Sequence, residues 1–261
     1  MQQEKVYFIV GDRYNNFCRW EGVVTCSQLL KEIERGVIPA KRFIIGQGCD
    51  KEILDYLREK IDGIFQSKDI FIEENFSHRI SHHLVHKTKP NNVLITFPVE
   101  TKNGVFQSSL VIDGGCEDLS DHITGVHIQG TILIEASRQM YTAVSEIFLE
   151  KKYLKDTNNH HCSKYRFVLN EMNVSFHSFL FPLHVDIILT LQEVMVNKRG
   201  TIFNASALIE SYQMRTLGSK VTCKGFGYPA EMLESFEGRQ ALVAYRNFVR
   251  GYSYGICLSE T

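Results

Sequence analysis

The apolar positions of this chain follow two rhythms, and the change between them falls near residue 75. Before it, short β-branched runs alternate with helix-spaced stretches. Val6 to Val10 reads as a strand, and Thr25 with Gln28 forms a capping-box pattern opening a helix through Leu29, Leu30 and Ile33, which Gly36 and Pro39 end. Phe43 to Ile45 is a second strand, Asp50 suits the N-cap of a helix carrying Ile53, Leu54, Leu57, Ile61, Ile64 and Phe65, and Asp69 to Glu73 offers a third strand. Strands alternating with helices predict a parallel sheet with right-handed crossovers. Residues 1–75 are therefore expected to form a small βαβαβ lobe of their own.

After Asn75 the texture is that of an antiparallel sheet around one helix. Val93 to Val99 and Val105 to Ile112 flank Lys102-Asn103-Gly104, a strong hairpin signal. A long apolar helix is predicted from about Gly125 to Lys151, followed by a polar loop, Asp156 to Ser163. Strands then fill Tyr165 to Phe181, Val185 to Val196, Thr201 to Ser211 and Val221 to Phe226, with Asn197-Lys198-Arg199-Gly200 as a turn. One hydrophobic helix and a strongly twisted antiparallel sheet predict a helix wrapped by a sheet over residues 76–261, an α+β hotdog layout behind an α/β lobe. A single sheet of this kind has an open edge, which a second copy of the chain commonly closes.

The helix carries the most informative pattern. Val126, Ile128, Ile132, Leu133, Ile134, Ala136, Met140, Ala143, Val144, Ile147 and Phe148 cover most of its circumference, whereas Thr131, Glu135, Arg138, Gln139 and Thr142 fall on one narrow line. The line is either a solvated stripe with Glu135 and Arg138 as an i,i+3 ion pair, or a site. A partly desolvated Glu135 has its charged form disfavoured, which raises its pKa toward the range useful for proton transfer; a close Arg138 opposes that and keeps it ionised as a base. The guanidinium also suits a phosphate, through paired donors.

Composition narrows the classes of function. Lysine plus arginine total 29 against 30 acidic residues in 261, a formal charge of −1, so no overall field favours nucleic acid or an anionic membrane. Seven widely spaced cysteines without a Cys-x-x-Cys pair fit reduced thiols and a cytoplasmic setting. The opening MQQEKVYFIVGD lacks the apolar length of a signal segment, and no stretch approaches the roughly 20 apolar residues of a spanning helix. His78, His82 and His86 and the triplet His160-His161-Cys162 are the only candidate metal donors, without an established ligand spacing, so neither metal nor cofactor is expected. Gly46-Gln47-Gly48 lacks the third glycine of a dinucleotide fingerprint and reads as a tight turn.

Three motifs in order carry a family resemblance. Asp121-His122, Gly125, Gly130 and Glu135-Ala136-Ser137-Arg138-Gln139 resemble the signature of the A-factor biosynthesis hotdog family, the acyltransferases of bacterial γ-butyrolactone signalling. Val85-His86-Lys87 resembles the start of that domain, and Phe176-His177-Ser178-Phe179 with Pro182-Leu183 resembles its later aromatic strand; together they cover residues 78 to 230. The same spacing is more distantly similar to β-hydroxyacyl carrier-protein dehydratases, whose prolines before the helix are missing here and whose small residue is replaced by Arg138.

The resemblance implies transfer of a β-ketoacyl group from an acyl carrier protein or CoA thioester to a hydroxyl of dihydroxyacetone phosphate or a similar acceptor, in secondary metabolism. It implies Glu135, His122 and Arg138 as catalytic residues, and His86, Lys87, Gly125, Gly130 and Gln139 as substrate contacts. Amides at the helix start would polarise the acyl carbonyl. The alternatives are a dehydratase, a thioesterase or a non-catalytic acyl-binding module. The single hotdog unit implies a homodimer with a composite site.

Overall fold

The computed structural model describes residues 6–37, 39–65, 71–74, 78–119, 125–153, 165–198 and 202–257. Its first sheet is parallel, in the order β2-β1-β3-β4: β1 (Val6–Val10), β2 (Val23–Thr25), β3 (Arg42–Ile45) and β4 (Phe71–Glu74). The expected capping box is present, with Thr25 accepting from the Gln28 amide and Gln28 from the Thr25 amide at the start of α1 (Cys26–Glu34). α2 (Lys51–Phe65) follows β3. The strand the sequence pattern missed is β2, three residues long and too short to show a period.

Side chains alternate across this sheet as a pleat requires. Ile9, Phe43 and Ile45 pack with Leu29 and Ile33 of α1 and Leu54 and Leu57 of α2. Val10 faces the other way, and joins Tyr14 and Phe17, from the 3-10 segment Asp12–Arg19, in the core of the rest of the molecule.

The second sheet is antiparallel with six strands in the order β5-β6-β8-β9-β10-β7. These are β5 (Val99–Lys102), β6 (Val105–Ser109), β7 (Tyr165–Phe176), β8 (Asp186–Val196), β9 (Phe203–Gln213) and β10 (Thr216–Pro229). The β5–β6 hairpin turns at Gly104, whose φ of 76° is the left-handed conformation that favours glycine. Most of the run Val93 to Pro98 is not strand; it is tied to its neighbours by isolated bridges, Ile95 to Leu110 and Thr96 to Arg79, and by scattered backbone bonds such as Val111 N to Leu94 O. The turn expected at 197–200 and the loop at 156–163 lie wholly or partly outside the described residues.

Across this sheet runs α3 (Gly130–Val144), continued by a π-helical turn, Ser145–Leu149, into α4 (Glu150–Tyr153). Ile132, Leu133, Ala136, Met140, Ala143 and Val144 are buried against Ile187 and Leu189 of β8, Ala205, Ala207 and Ile209 of β9 and Val221 of β10. Each large aliphatic among them contributes roughly 2 kcal/mol by leaving water. Tyr141 fixes the helix in register by donating its hydroxyl to Ala205 O at 2.8 Å. A helix laid across an antiparallel sheet is the hotdog fold. The helix starts five residues later than the apolar pattern implies, because Gly125–Gln129 is held outside it: Gly125 O accepts from Phe17 N, and Gln129 is extended.

The pattern also missed α5 (Ala230–Cys257). Its apolar residues are scattered over an exposed surface, with Phe236, Tyr245 and Phe248 all more than half accessible, so no core-facing stripe marks it.

The two sheets meet at Gln47. Its fully buried amide donates to Leu110 O (3.0 Å) and Leu183 O (3.1 Å) and accepts from Ile112 N (2.8 Å). Its backbone N–H adds a bond to Pro182 O at 2.9 Å. The Gly46-Gln47-Gly48 turn thus binds the parallel sheet to the hotdog sheet.

Candidate functional site

The first three residues of the polar line of α3, Thr131, Glu135 and Arg138, are among the least buried of that helix and lie under a crossing loop, whereas Gln139 and Thr142 are buried. Thr131 is exposed and Ile134, Glu135 and Arg138 are half-buried, while their neighbours are inaccessible. The covering chain is the 3-10 turn His82–Val85, closed by His86 in the left-handed conformation at φ 55°. That reversal carries Lys87 back over the helix, where its Nζ lies 2.8 Å from Glu135 Oε1. His86 turns outward to Glu146, on the π-helical turn.

Glu135 is the hub. Arg138 grips it with two donors, Nε to Oε2 and Nη2 to Oε1, both at 2.8 Å, and Nη2 also donates to Val85 O at 2.9 Å. Gln139 Nε2 donates to Glu135 Oε1 at 3.0 Å. Burial pushes the Glu135 pKa up, but the bonds from Arg138, Lys87 and Gln139 and the Arg138 charge outweigh it and bring it down to about 2. The rise that burial alone would produce is therefore reversed, and the carboxylate is ionised throughout the neutral range. The missing information was Lys87, which lies 48 residues upstream and has no periodic relation to the helix.

A second region adjoins the helix start. Gly130, Leu133, His127 and Ile128 face Phe176-His177-Ser178-Phe179 and Leu180 across an apolar cavity of about 440 Å³. A side chain at position 130 would meet the Phe176 ring, with its Cβ 2.7 Å from the nearest ring carbon. The His127 ring packs on Phe179 with centroids 4.7 Å apart, and His177 Nε2 lies 3.1 Å from Ser175 Oγ. Sequence reasoning had not selected His127; its only signal was its place between the two glycines.

Of the expected site residues, Glu135, Arg138, Lys87 and Gln139 come together, and Gly130 lines the cavity. His86 lies on the outer side of the cluster. Two assignments are corrected. Gln139 is fully buried and spends its amide on Glu135, Asn92 O (2.8 Å) and Leu94 N (2.8 Å), so it fastens loop to helix and has no donor for a substrate. Gly125 precedes the helix start; its Cβ would lie 2.7 Å from Arg13 O, so its role is close packing against the first sheet's connection. His122 and Asp121 lie outside the described residues, as does His160-His161-Cys162.

The histidine series is not a ligand set: His82 and His83 pack ring on ring at 3.9 Å, and His86 bonds Glu146. Among the described residues no group of three or more His, Cys, Asp or Glu side chains can hold a metal ion, and no helix is long and apolar enough to cross a membrane.

With this geometry in view, comparison with known proteins gives one family. The A-factor biosynthesis hotdog domain matches residues 72–200, which include the covering loop, α3 and four of the six strands of the sheet, β5 to β8. Among solved structures, a thioesterase from Haemophilus influenzae is 10% identical, with 52% of this chain and 78% of that one covered and a TM-score of 0.38. A mutant thioesterase from Pseudomonas aeruginosa is 12% identical, covering 59% and 98%, also at a TM-score of 0.38. No curated protein matches the sequence.

Proposed function

From the match of residues 72–200 to the A-factor biosynthesis hotdog domain, we propose that the chain is an acyltransferase. It moves a β-ketoacyl group from an acyl carrier protein or CoA thioester to the hydroxyl of a small phosphorylated acceptor such as dihydroxyacetone phosphate. The observation that carries this reading is an ionised Glu135 held by two cations on α3, the helix whose first turn also lines an apolar cavity.

The acyl chain occupies the cavity, and its carbonyl meets the amides of the first turn of α3. The acceptor's phosphate is drawn to Lys87 and Arg138. A carboxylate with a pKa near 2 is a poor proton acceptor, since a base works best when its pKa lies near the working pH. Phosphate binding corrects this, because it competes for the donors of Lys87 and Arg138 and adds negative charge beside Glu135, and both effects raise the pKa. Glu135 then takes the hydroxyl proton as the oxygen attacks the thioester carbon, and the helix-start amides hold the oxyanion. Collapse of that intermediate breaks the C–S bond, and the departing sulfur takes the proton back from Glu135, giving an ester, a free thiol and the ionised carboxylate. Base strength thus arrives with the acceptor, which protects the thioester from water beforehand. His122 keeps its place in this proposal beside the thioester. Two chains pair through their hotdog sheets into a homodimer, and residues 1–75 serve as a lobe packed onto the hotdog unit.

The test is product mass and kinetics with an acyl thioester and dihydroxyacetone phosphate. Ester and free thiol are expected; free acid alone, or loss of water, points instead to the thioesterase or dehydratase. Glu135→Gln should lower kcat about 10²-fold with little change in KM, and Arg138→Ala should mainly raise KM for the phosphorylated acceptor. Unchanged kinetics in both variants would end the assignment. Light scattering should give twice the mass of one chain.

A further inference from the structure

The parallel sheet holds a second crevice that the acyl site does not use. In the order β2-β1-β3-β4 the chain reverses direction at β1: it passes from β1 to β2 on one side, then returns across β1 to β3 on the other. The connections that follow β1 and β3 lie on opposite faces. The segment after β1 puts Tyr14 and Phe17 into the hotdog core, and α2, after β3, packs Leu54 and Leu57 on the far side. Adjacent strands whose following connections part in this way leave an opening at their carboxyl ends, the place where open α/β sheets take ligands.

A cavity of about 240 Å³ lies there. Gly11, Asp12 and Arg13 line it from the end of β1, Gly48 and Asp50 from the end of β3, and Cys26 and Ile53 from the first turns of α1 and α2. Gly114, from the hotdog unit, closes one wall, where its Cβ would stand 2.5 Å from Asp50 Oδ1. The crevice is therefore built by both sheets.

Among the described residues lining this crevice Arg13 is the one cation and faces two carboxyl groups, Asp12 and Asp50, so the balance of charge disfavours an anion. The start of α1 is already capped by Asp12, whose carboxylate accepts from Ser27 N at 3.2 Å and from the Ser27 hydroxyl. Asp50 stands immediately before α2, with Asp113 beside it. A phosphate would meet two carboxyl groups where it needs free amides. What those groups offer is acceptor oxygen, so a fitting ligand brings hydroxyl donors, and the volume suits a sugar. We propose that this crevice binds the vicinal diol of a ribose, free or within an uncharged nucleoside, between the Asp12 and Asp50 carboxyl groups, with Ile53 as the apolar wall.

Saturation-transfer NMR on the full chain tests this with D-ribose, adenosine, 2′-deoxyadenosine and AMP as probes. Saturable transfer to ribose or adenosine is expected. Equal affinities identify the sugar as the whole ligand, and tighter adenosine identifies a nucleoside. The deoxy analogue should bind at least tenfold more weakly, because a site built for a hydroxyl is left with unpaired acceptors without it. AMP should bind no better than adenosine. Asp50→Asn should weaken binding tenfold or more, and Ile53→Phe, which fills the crevice and leaves both carboxyl groups, should abolish it. If Asp50→Asn does not fold, Ile53→Phe decides. No transfer to any diol, equal binding of the deoxy analogue, preference for AMP, or wild-type affinity in folded Ile53→Phe would overturn the proposal.

Discussion

Glu135 and Asp50 are both half-buried carboxyl groups at the start or early turns of a helix, yet their titrations are displaced in opposite directions. Burial raises the pKa of each. At Glu135 the bonds from Arg138, Lys87 and Gln139 overturn that effect, whereas at Asp50 the neighbouring Asp113 adds to it, with only a backbone bond from Gly115 opposing. The sign of a shift is thus set by which charges the fold brings alongside. Burial and helix position, the features a sequence reveals most readily, do not decide it.

The largest expected effect comes from breaking the Glu135 cluster at its anchor. Gln139→Leu leaves Leu94 N and Asn92 O buried without partners and removes a donor to Glu135, which should cost about 3 to 4 kcal/mol in urea unfolding. A loss below about 1 kcal/mol would mean that the loop readjusts and that Gln139 does not hold it. Next is the acid limb. Because the folded pKa of Glu135 is depressed to about 2 from an ordinary 4.5, its stabilisation is complete above pH 4.5 and is lost as pH falls toward 2. Wild type should lose about 3 kcal/mol across that window relative to Glu135→Gln; parallel curves would contradict the cluster. The smallest effect sharpens the contrast. Asp50 has a raised pKa, so its ionisation opposes folding as pH rises through the ordinary carboxylate range. Asp50→Asn keeps a good helix N-cap and removes the repulsion with Asp113, so it should gain up to about 1 kcal/mol at pH 7 and nothing at pH 3. A loss at neutral pH would show that the ionised carboxylate is needed where it stands.

The elements that sequence alone determined are those with a strong local period or a local cap. The Thr25 and Gln28 box, the Gly104 hairpin and the apolar wrap of α3 were all legible, because each depends on residues within a turn or two of one another. The polar line on α3 was legible for the same reason. Short β2 and exposed α5 were not legible: three residues cannot display a period, and a helix without a core-facing stripe presents none. Tertiary structure alone decided that Lys87 crosses to Glu135, that Gln47 joins the two sheets, and that Asp50 faces Asp113. These contacts link residues 48 to 136 positions apart in the chain, and hydrogen bonds and charge pairs of that reach form only once the packing of both sheets has fixed where the loops go.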